Sequence, residues 1–290
     1  MESSKPSRIS VAQVYAKRSV RWNRNNSPLI SGDVFADMSD LSVYGPKYRF
    51  FPLRKHELSD ARIIFCDSRF LRQFLDENWK KINAKIIISG NSDEEFHDIP
   101  ENLPKSVKAI FLQNSFISDN KTIFTLPIGI ENFRWGVNGN PRLVSAKNKT
   151  IRKSNRILFG PFGNTHPDRE KVKGEFSYSC DNWEYITDRI SPKKYSETVS
   201  KFKFVAAVRG NGVDTHRLWE TLYRGSYPIV KEDNWSKSLR PLKLPIVYCS
   251  DWKINEINQI LSENNYSDFK PKNLEPLWAN YWLNIFKTFL

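Results

Sequence analysis

From Val208 to Val230 the chain passes from an apolar run into a glycine-bearing loop, Arg209-Gly210-Asn211-Gly212. A one-faced helix follows, then a glycine turn at Gly225 and a second apolar run. Strand, loop, helix and strand in that order are the parts of a parallel α/β sheet, with the loop and helix start at its mouth. Over 214–224 the helical repeat puts Leu218, Trp219, Leu222 and Tyr223 on one face and Arg217, Glu220, Thr221 and Arg224 on the other. Asp214 or Thr215 suits the N-cap. Gly210 and Gly212 allow close backbone approach or a positive φ. Arg209 and Arg217 are placed to clamp a diphosphate near the helix N-terminus. Glu220, nearly two turns in, is placed to accept hydrogen bonds from ribose hydroxyls. A solvated row of Arg217–Glu220–Arg224 ion pairs, each worth roughly 0.2–0.5 kcal/mol, fits the same residues. The glycines match neither the phosphate-loop nor the dinucleotide fingerprint, so they name no particular nucleotide.

The rest of the chain repeats this kind of layout. Apolar runs at 61–66, 85–90, 107–112 and 122–127 read as strands, with a one-faced helix through Phe70, Leu71, Phe74, Leu75 and Trp79 after the first. Runs without polar alternation argue for a mostly parallel sheet covered on both faces. Residues 138–155 are polar and basic, with Gly139 and Pro141, and read as a linker. The pattern restarts with strands at 156–160, 202–208, 227–230 and 245–249 and helices at 191–201 and 254–264. The expected organisation is an N-terminal α/β unit over 1–140, a linker over 141–155, a C-terminal α/β unit over 156–272 and an amphipathic helix over 273–290.

In that last segment Leu274, Leu277, Trp278, Tyr281, Trp282, Ile285, Phe286 and Phe289 follow one helix face, and Pro276 is tolerated near its start. Burying one large apolar side chain is worth about 1.5–3 kcal/mol, so the face must dock on something. Packing across the two units is preferred to a membrane interface, because the polar face carries few cations.

Composition narrows the partners. With 39% hydrophobic and 13% aromatic residues in 290, the chain has ample core and is no disordered tail. No run approaches the roughly eighteen apolar residues of a membrane span. Met1–Arg8 lacks the apolar centre of a signal peptide, and the three cysteines are scattered, so a cytoplasmic protein is expected. A net charge of +13 favours anionic partners: nucleic acid, phosphorylated small molecules or an anionic membrane face. Lys and Arg are dispersed along the chain, which speaks against a nucleic-acid tail. The four histidines lie far apart and no Asp-x-Asp pair occurs, so neither a metal nor another cofactor is expected.

The run Arg209-Gly210-Asn211-Gly212, then Asp214-Thr215-His216-Arg217-Leu218-Trp219-Glu220, then Gly225-Ser226-Tyr227-Pro228-Ile229, resembles the donor-site signature of exostosin-like (family 47-type) glycosyltransferases. A similar helix-and-turn layout occurs, more distantly, in α-fucosyltransferases. The close match covers about thirty residues, Phe202 to Lys231. The resemblance implies an α/β chain of GT-B fold. Two Rossmann-like domains would face a cleft, with acceptor in the first, nucleotide-sugar donor in the second, and a C-terminal helix crossing back to the first. Carried over, Arg209 and Arg217 hold the diphosphate and Glu220 the ribose. Asn211, Gly212, Asp214, Thr215 and His216 lie close to the donor.

Given that fold, further loops face the cleft. Asn164, Thr165 and Arg169 follow the first strand of the second unit and stand where they could touch phosphate or sugar, although Asn164–Asp168 equally suits a turn and helix cap. Asp93, Glu94 and Glu131 are the candidates for deprotonating an acceptor hydroxyl, with His97 behind them. The activity expected is transfer of a sugar from a nucleotide diphosphate donor to a glycan or lipid-linked glycan acceptor, as in bacterial polysaccharide or glycoconjugate assembly. The arginines and helix terminus, without a metal, would stabilise the leaving diphosphate. Peripheral association with an anionic inner membrane face suits the same charge. A basic nucleic-acid-binding protein and a non-catalytic nucleotide- or glycan-binding module are the alternatives.

Overall fold

A computed structural model of the chain describes residues 29–43, 55–117, 120–132, 139–144, 153–263 and 273–290. Most of the expected linker lies outside those residues. Its described ends are a short helix, Pro141–Val144, and the start of a strand at Ser154.

Two five-stranded parallel sheets organise the chain. The first holds β1 (Leu41–Val43), β2 (Ile63–Asp67), β3 (Ile86–Gly90), β4 (Ala109–Leu112) and β5 (Ile123–Thr125) in simple sequential order. The second holds β6 (Ser154–Phe159), β7 (Trp183–Tyr185), β8 (Phe202–Ala206), β9 (Tyr227–Lys231) and β10 (Val247–Cys249) in the order β10-β9-β8-β6-β7. In chain order the helices are α1 (Gly32–Asp37), α2 (Lys55–Asp60), α3 (Leu71–Asn78), α4 (Pro141–Val144), α5 (Pro167–Phe176), α6 (Pro192–Val199), α7 (His216–Tyr223), α8 (Asn234–Ser238), α9 (Ile254–Ser262) and α10 (Ala279–Lys287).

The difference in strand order has consequences. In a sequentially ordered parallel sheet, right-handed crossovers all fall on one face. Here Leu58 of α2 and Leu71, Phe74 and Leu75 of α3 pack with Ile64, Cys66, Ile87 and Ile110 on that face. The opposite face presents Ile63, Phe65, Ile86, Ile88 and Phe111, and it is left for elements from elsewhere in the chain. Phe35 of α1 and Trp282 and Phe286 of α10 cover it, with the Phe111 ring 4.9 Å from that of Phe286 and 6.4 Å from that of Trp282. The same apolar cluster runs on through Leu218, Trp219 and Leu222 of α7, so the core is continuous between the two sheets.

The docking of the C-terminal segment is therefore across the units, as its spacing predicts. Its conformation differs. Glu275–Leu277 is a 3₁₀ turn with Pro276 in it, Trp278 is extended, and the α-helix begins at Ala279. The break has a local cause. Trp278 pairs as an isolated bridge with Leu29, its ring sits 5.4 Å from that of Tyr223, and the Trp282 indole N–H is drawn back to the Pro276 carbonyl at 2.8 Å. Tyr223 ties these pieces together, accepting from the Ile30 N–H at 3.0 Å and donating to the Leu277 carbonyl.

Trp282 is almost wholly buried. Trp282→Ala is expected to lower unfolding stability by about 3–5 kcal/mol, read from urea denaturation. A loss below about 1 kcal/mol, the level of a surface change, contradicts this docking.

Candidate functional site

The order of the second sheet reverses between β6 and β8. Outside the carboxyl ends of two strands that diverge in this way a crevice opens, and ligands of α/β sheets bind there. A cleft of about 730 Å³ lies at that place. Pro161, Phe162 and Thr165 reach it from the loop after β6, and Gly210–Gly212 and Thr215 from the loop after β8. Arg217, Glu220 and Arg224 line it along and just beyond α7, Tyr195 from α6, and Asp93 and Glu131 from loops of the first sheet.

The charged face of α7 is thus turned into the cleft and is no solvated row of ion pairs. Among the described residues no ion pair joins Glu220 to Arg217 or Arg224. Arg217 donates to the Pro161 carbonyl at 2.7 Å, and its guanidinium lies over Phe162 at 4.5 Å and Tyr195 at 5.2 Å. Arg224 is 6% exposed, and burial pushes its guanidinium down to about 10. Arg169 donates to the carbonyls of Arg209 and Val208 and to the Thr165 hydroxyl at 2.8 Å. Burial first, then neighbouring Arg217, pushes its pKa to about 10. Burial also pushes the half-buried Glu220 up to about 7, against the pull of Arg217 and Arg224. The guanidiniums of Arg169, Arg189, Arg217 and Arg224 therefore share the cleft with Glu220, which is itself reluctant to ionise, and with Asp93, Glu131 and Asp214. Nη1 of Arg217, Nη2 of Arg224 and the Tyr195 hydroxyl are buried with no hydrogen-bond partner. Buried cationic donors left unpaired cost several times a surface pair, and an anionic ligand offsets that cost.

The start of α7 is held by Asp214, which is 3% exposed. Its carboxylate accepts from the Ile128 N–H and the Trp219 indole at 2.8 Å each, and its own N–H donates to Asn114 Oδ1 at 2.9 Å. Burial still pushes its pKa up to about 7. Its oxygens are engaged in joining α7 to the first sheet's loops. Gly212 lies against the same asparagine, and a Cβ there would come within 2.9 Å of Asn114 Nδ2. Thr215 is the N-cap residue but makes no side-chain cap hydrogen bond. His216 donates from Nδ1 to the Gly129 carbonyl at 2.8 Å, and its pKa is lowered by burial. Gly129 has φ of 69° and a Cβ position blocked by the Ile30 carbonyl at 2.1 Å, so only glycine presents that carbonyl here.

The other expected site residues divide. Thr165, Asn211, Asp93 and Glu131 line the cleft. Glu94 lies in an adjoining cavity of about 530 Å³ that shares Asp93, Ile128, Glu131 and His216 with the first. Asn164 is exposed and outside both, and the cap reading of its loop holds, with His166 Nδ1 accepting from the Asp168 N–H at 3.1 Å at the head of α5. Arg209 does not line the cleft. It forms an ion pair with Glu95 of the first sheet's β3–β4 loop, and Glu95 also pairs with His97 at 3.4 Å. His97 points outward and stacks on Phe116.

No protein-family model matches the chain, and no curated protein matches it.

Sequence reasoning missed Tyr195 and Phe162, and it read Arg224 as part of a helix face. Arg224 is the residue that ends α7, and Lys153 donates to its carbonyl at 3.0 Å and to the Ser226 hydroxyl at 2.7 Å. No local pattern announces that contact. Tyr195 carried one signal, an aromatic on the otherwise polar first turns of 192–199.

Because the folded Glu220 carboxyl holds its proton to higher pH than an unfolded one, it contributes stability that is present below the usual carboxylate range and lost as pH rises towards about 7. The stability of the native chain minus that of Glu220→Gln should therefore fall as pH rises from 4.5 to about 7, measured by urea denaturation at stepped pH. A flat difference contradicts the burial of this carboxyl.

Proposed function

We propose that the chain is a glycosyltransferase of GT-B type that takes a sugar from a nucleotide diphosphate donor and passes it to a glycan or lipid-linked glycan acceptor. One observation carries the reading. Four guanidiniums, two of them with unpaired buried N–H groups, converge around the weakly acidic Glu220 at the switch point of a parallel sheet facing a second sheet.

A diphosphate suits this place on charge and on geometry. Its oxygens accept from Arg217 and Arg224, and the uncapped start of α7 adds backbone N–H groups. When the bond from the anomeric carbon to the diphosphate breaks, the leaving oxygens gain charge. Fixed guanidiniums in a partly dehydrated cleft stabilise that charge without reorganising. Glu220 stands between them along α7, where ribose hydroxyls would reach it. Thr165 from the loop after β6 and Arg169 from the first turn of α5 would flank the phosphates. Arg209, in its pair with Glu95, spans from the second sheet's loop to the first and would reach a donor only by exchanging Glu95 for phosphate. The excess of positive charge suits anionic donors and an anionic membrane face alike.

Thermal-shift measurements with UDP, GDP, CMP and their sugars test the reading. At least one should raise the melting temperature. Arg217→Ala and Arg224→Ala should each weaken that ligand by roughly 10–100-fold, the loss of one charge-assisted hydrogen bond. No stabilisation by any nucleotide, or full retention in both variants, overturns it.

A further inference from the structure

The adjoining cavity of about 530 Å³ shares Asp93 and Glu131 with the cationic cleft but none of its arginines. Asp93, Glu94 and Glu131 line it. Its lining cation, Arg69, is spent on Asp67 through two hydrogen bonds, Nε to Oδ1 at 3.0 Å and Nη2 to Oδ2 at 2.7 Å. The cavity is therefore anionic.

Its remaining walls are side-chain amides set in a fixed network. Gln113 accepts from the Asn91 N–H at 3.0 Å and donates to the Ser92 carbonyl at 2.8 Å, and Asn132 donates to Asn91 Oδ1 at 2.8 Å. Asn91 is held at φ 66°, and its Nδ2 is buried without a partner. Gly32 makes room for it, since a Cβ there would fall 1.6 Å from Asn91 Oδ1. Amides and carboxylates in a rigid array, with one donor unspent, are the groups that read the hydroxyls of a sugar.

His216 stands where the two cavities meet and lines both. A carbonyl only accepts, so the bond from Nδ1 to Gly129 fixes the proton on Nδ1 and leaves Nε2 of the neutral ring as an acceptor. Nε2 has no partner among the described residues. The charged groups acting on the ring are Glu131, from the loop after β5, and Asp93, from the loop after β3. Both oppose the lowering effect of burial and both would stabilise a histidinium once formed.

We propose that this second cavity is the acceptor site, that it takes a sugar bearing no negative charge, and that the attacking hydroxyl gives its proton to Nε2 of His216. The proposal rests on the glycosyl-transfer reading above. The hydroxyl oxygen forms a bond to the anomeric carbon as its proton passes to Nε2. The bond from that carbon to the diphosphate oxygen breaks, and its electron pair leaves with the diphosphate onto Arg217 and Arg224. His216, then cationic between Asp93 and Glu131, returns the proton to water. Displacement of this kind inverts the anomeric carbon. The role falls to His216, and Asp93 and Glu131 support it.

The test uses the full chain and the methyl glycosides of glucose, galactose, N-acetylglucosamine, glucosamine and glucuronic acid, followed by saturation-transfer NMR. At least one of the first four should bind, and the glucuronide more weakly by roughly tenfold or more, since like charges in close approach are costly. Asp93→Asn with Glu131→Gln should narrow that gap, and Glu94→Gln, which lies outside the cationic cleft, should narrow it while leaving the nucleotide thermal shift unchanged. In ¹⁵N-histidine spectra, the Nε2 signal that disappears in His216→Gln should move when the sugar binds, with Nδ1 remaining protonated. Tightest binding by the glucuronide, binding by none of the sugars, or an unmoved Nε2 signal overturns the proposal. If a nucleotide still stabilises the chain in that case, the transferase reading stands and only the acceptor assignment falls. If no nucleotide does, both fall.

Discussion

Asp214 is the side chain on which the rest of the site depends. It is nearly inaccessible to water, yet it holds the head of α7 to two separate loops of the first sheet through the Ile128 N–H and the Asn114 amide, and it braces Trp219 from below. Burying a carboxyl in this way is unfavourable in itself, and its pKa rises to about 7 despite those donors. What the fold gains is a fixed relation between the cationic helix and the first sheet. Without that bond the Ile128 N–H and the Trp219 indole would lie unpaired in the core, and the facing walls of the cleft would have no common anchor.

Topology then divides the labour. The second sheet reverses order at β6 and β8 and so opens a crevice at its carboxyl end. The first sheet does not reverse, which leaves one face to be covered from outside, and α10 covers it from the far end of the chain. The chain's two ends of structure are thereby tied to one core, with Tyr223 joining Ile30, α7 and Leu277 at the seam. An arginine-lined cavity and one without those arginines meet at His216.

Much of this was legible in the sequence where the signal is local. Continuous apolar runs such as Ile86–Ile88 and Phe204–Ala206 read as buried parallel strands, and the 3.6-residue spacing of Leu218, Trp219 and Leu222 read as the inner face of α7. Short or polar elements escaped: β7 is three residues long, and α5 carries charged residues on nearly every side. The break at Trp278 escaped because a backbone bridge to Leu29, some 250 positions away, overrides the helical spacing. Asp214 could be read only as a cap or a donor contact, and Arg209 only as a phosphate ligand, because their partners Ile128, Asn114 and Glu95 come from the other sheet. Which residues line the cleft was largely visible, and which of them are already engaged was not.

The central claim is that the cleft at the β6–β8 switch point binds a diphosphate through Arg217 and Arg224. Crystals of the full chain grown with UDP and with GDP test it most directly. The account predicts, for at least one of them, a diphosphate in that cleft with its oxygens in hydrogen-bond contact with both guanidiniums. A nucleotide bound elsewhere, or a cleft that stays empty with both, contradicts it.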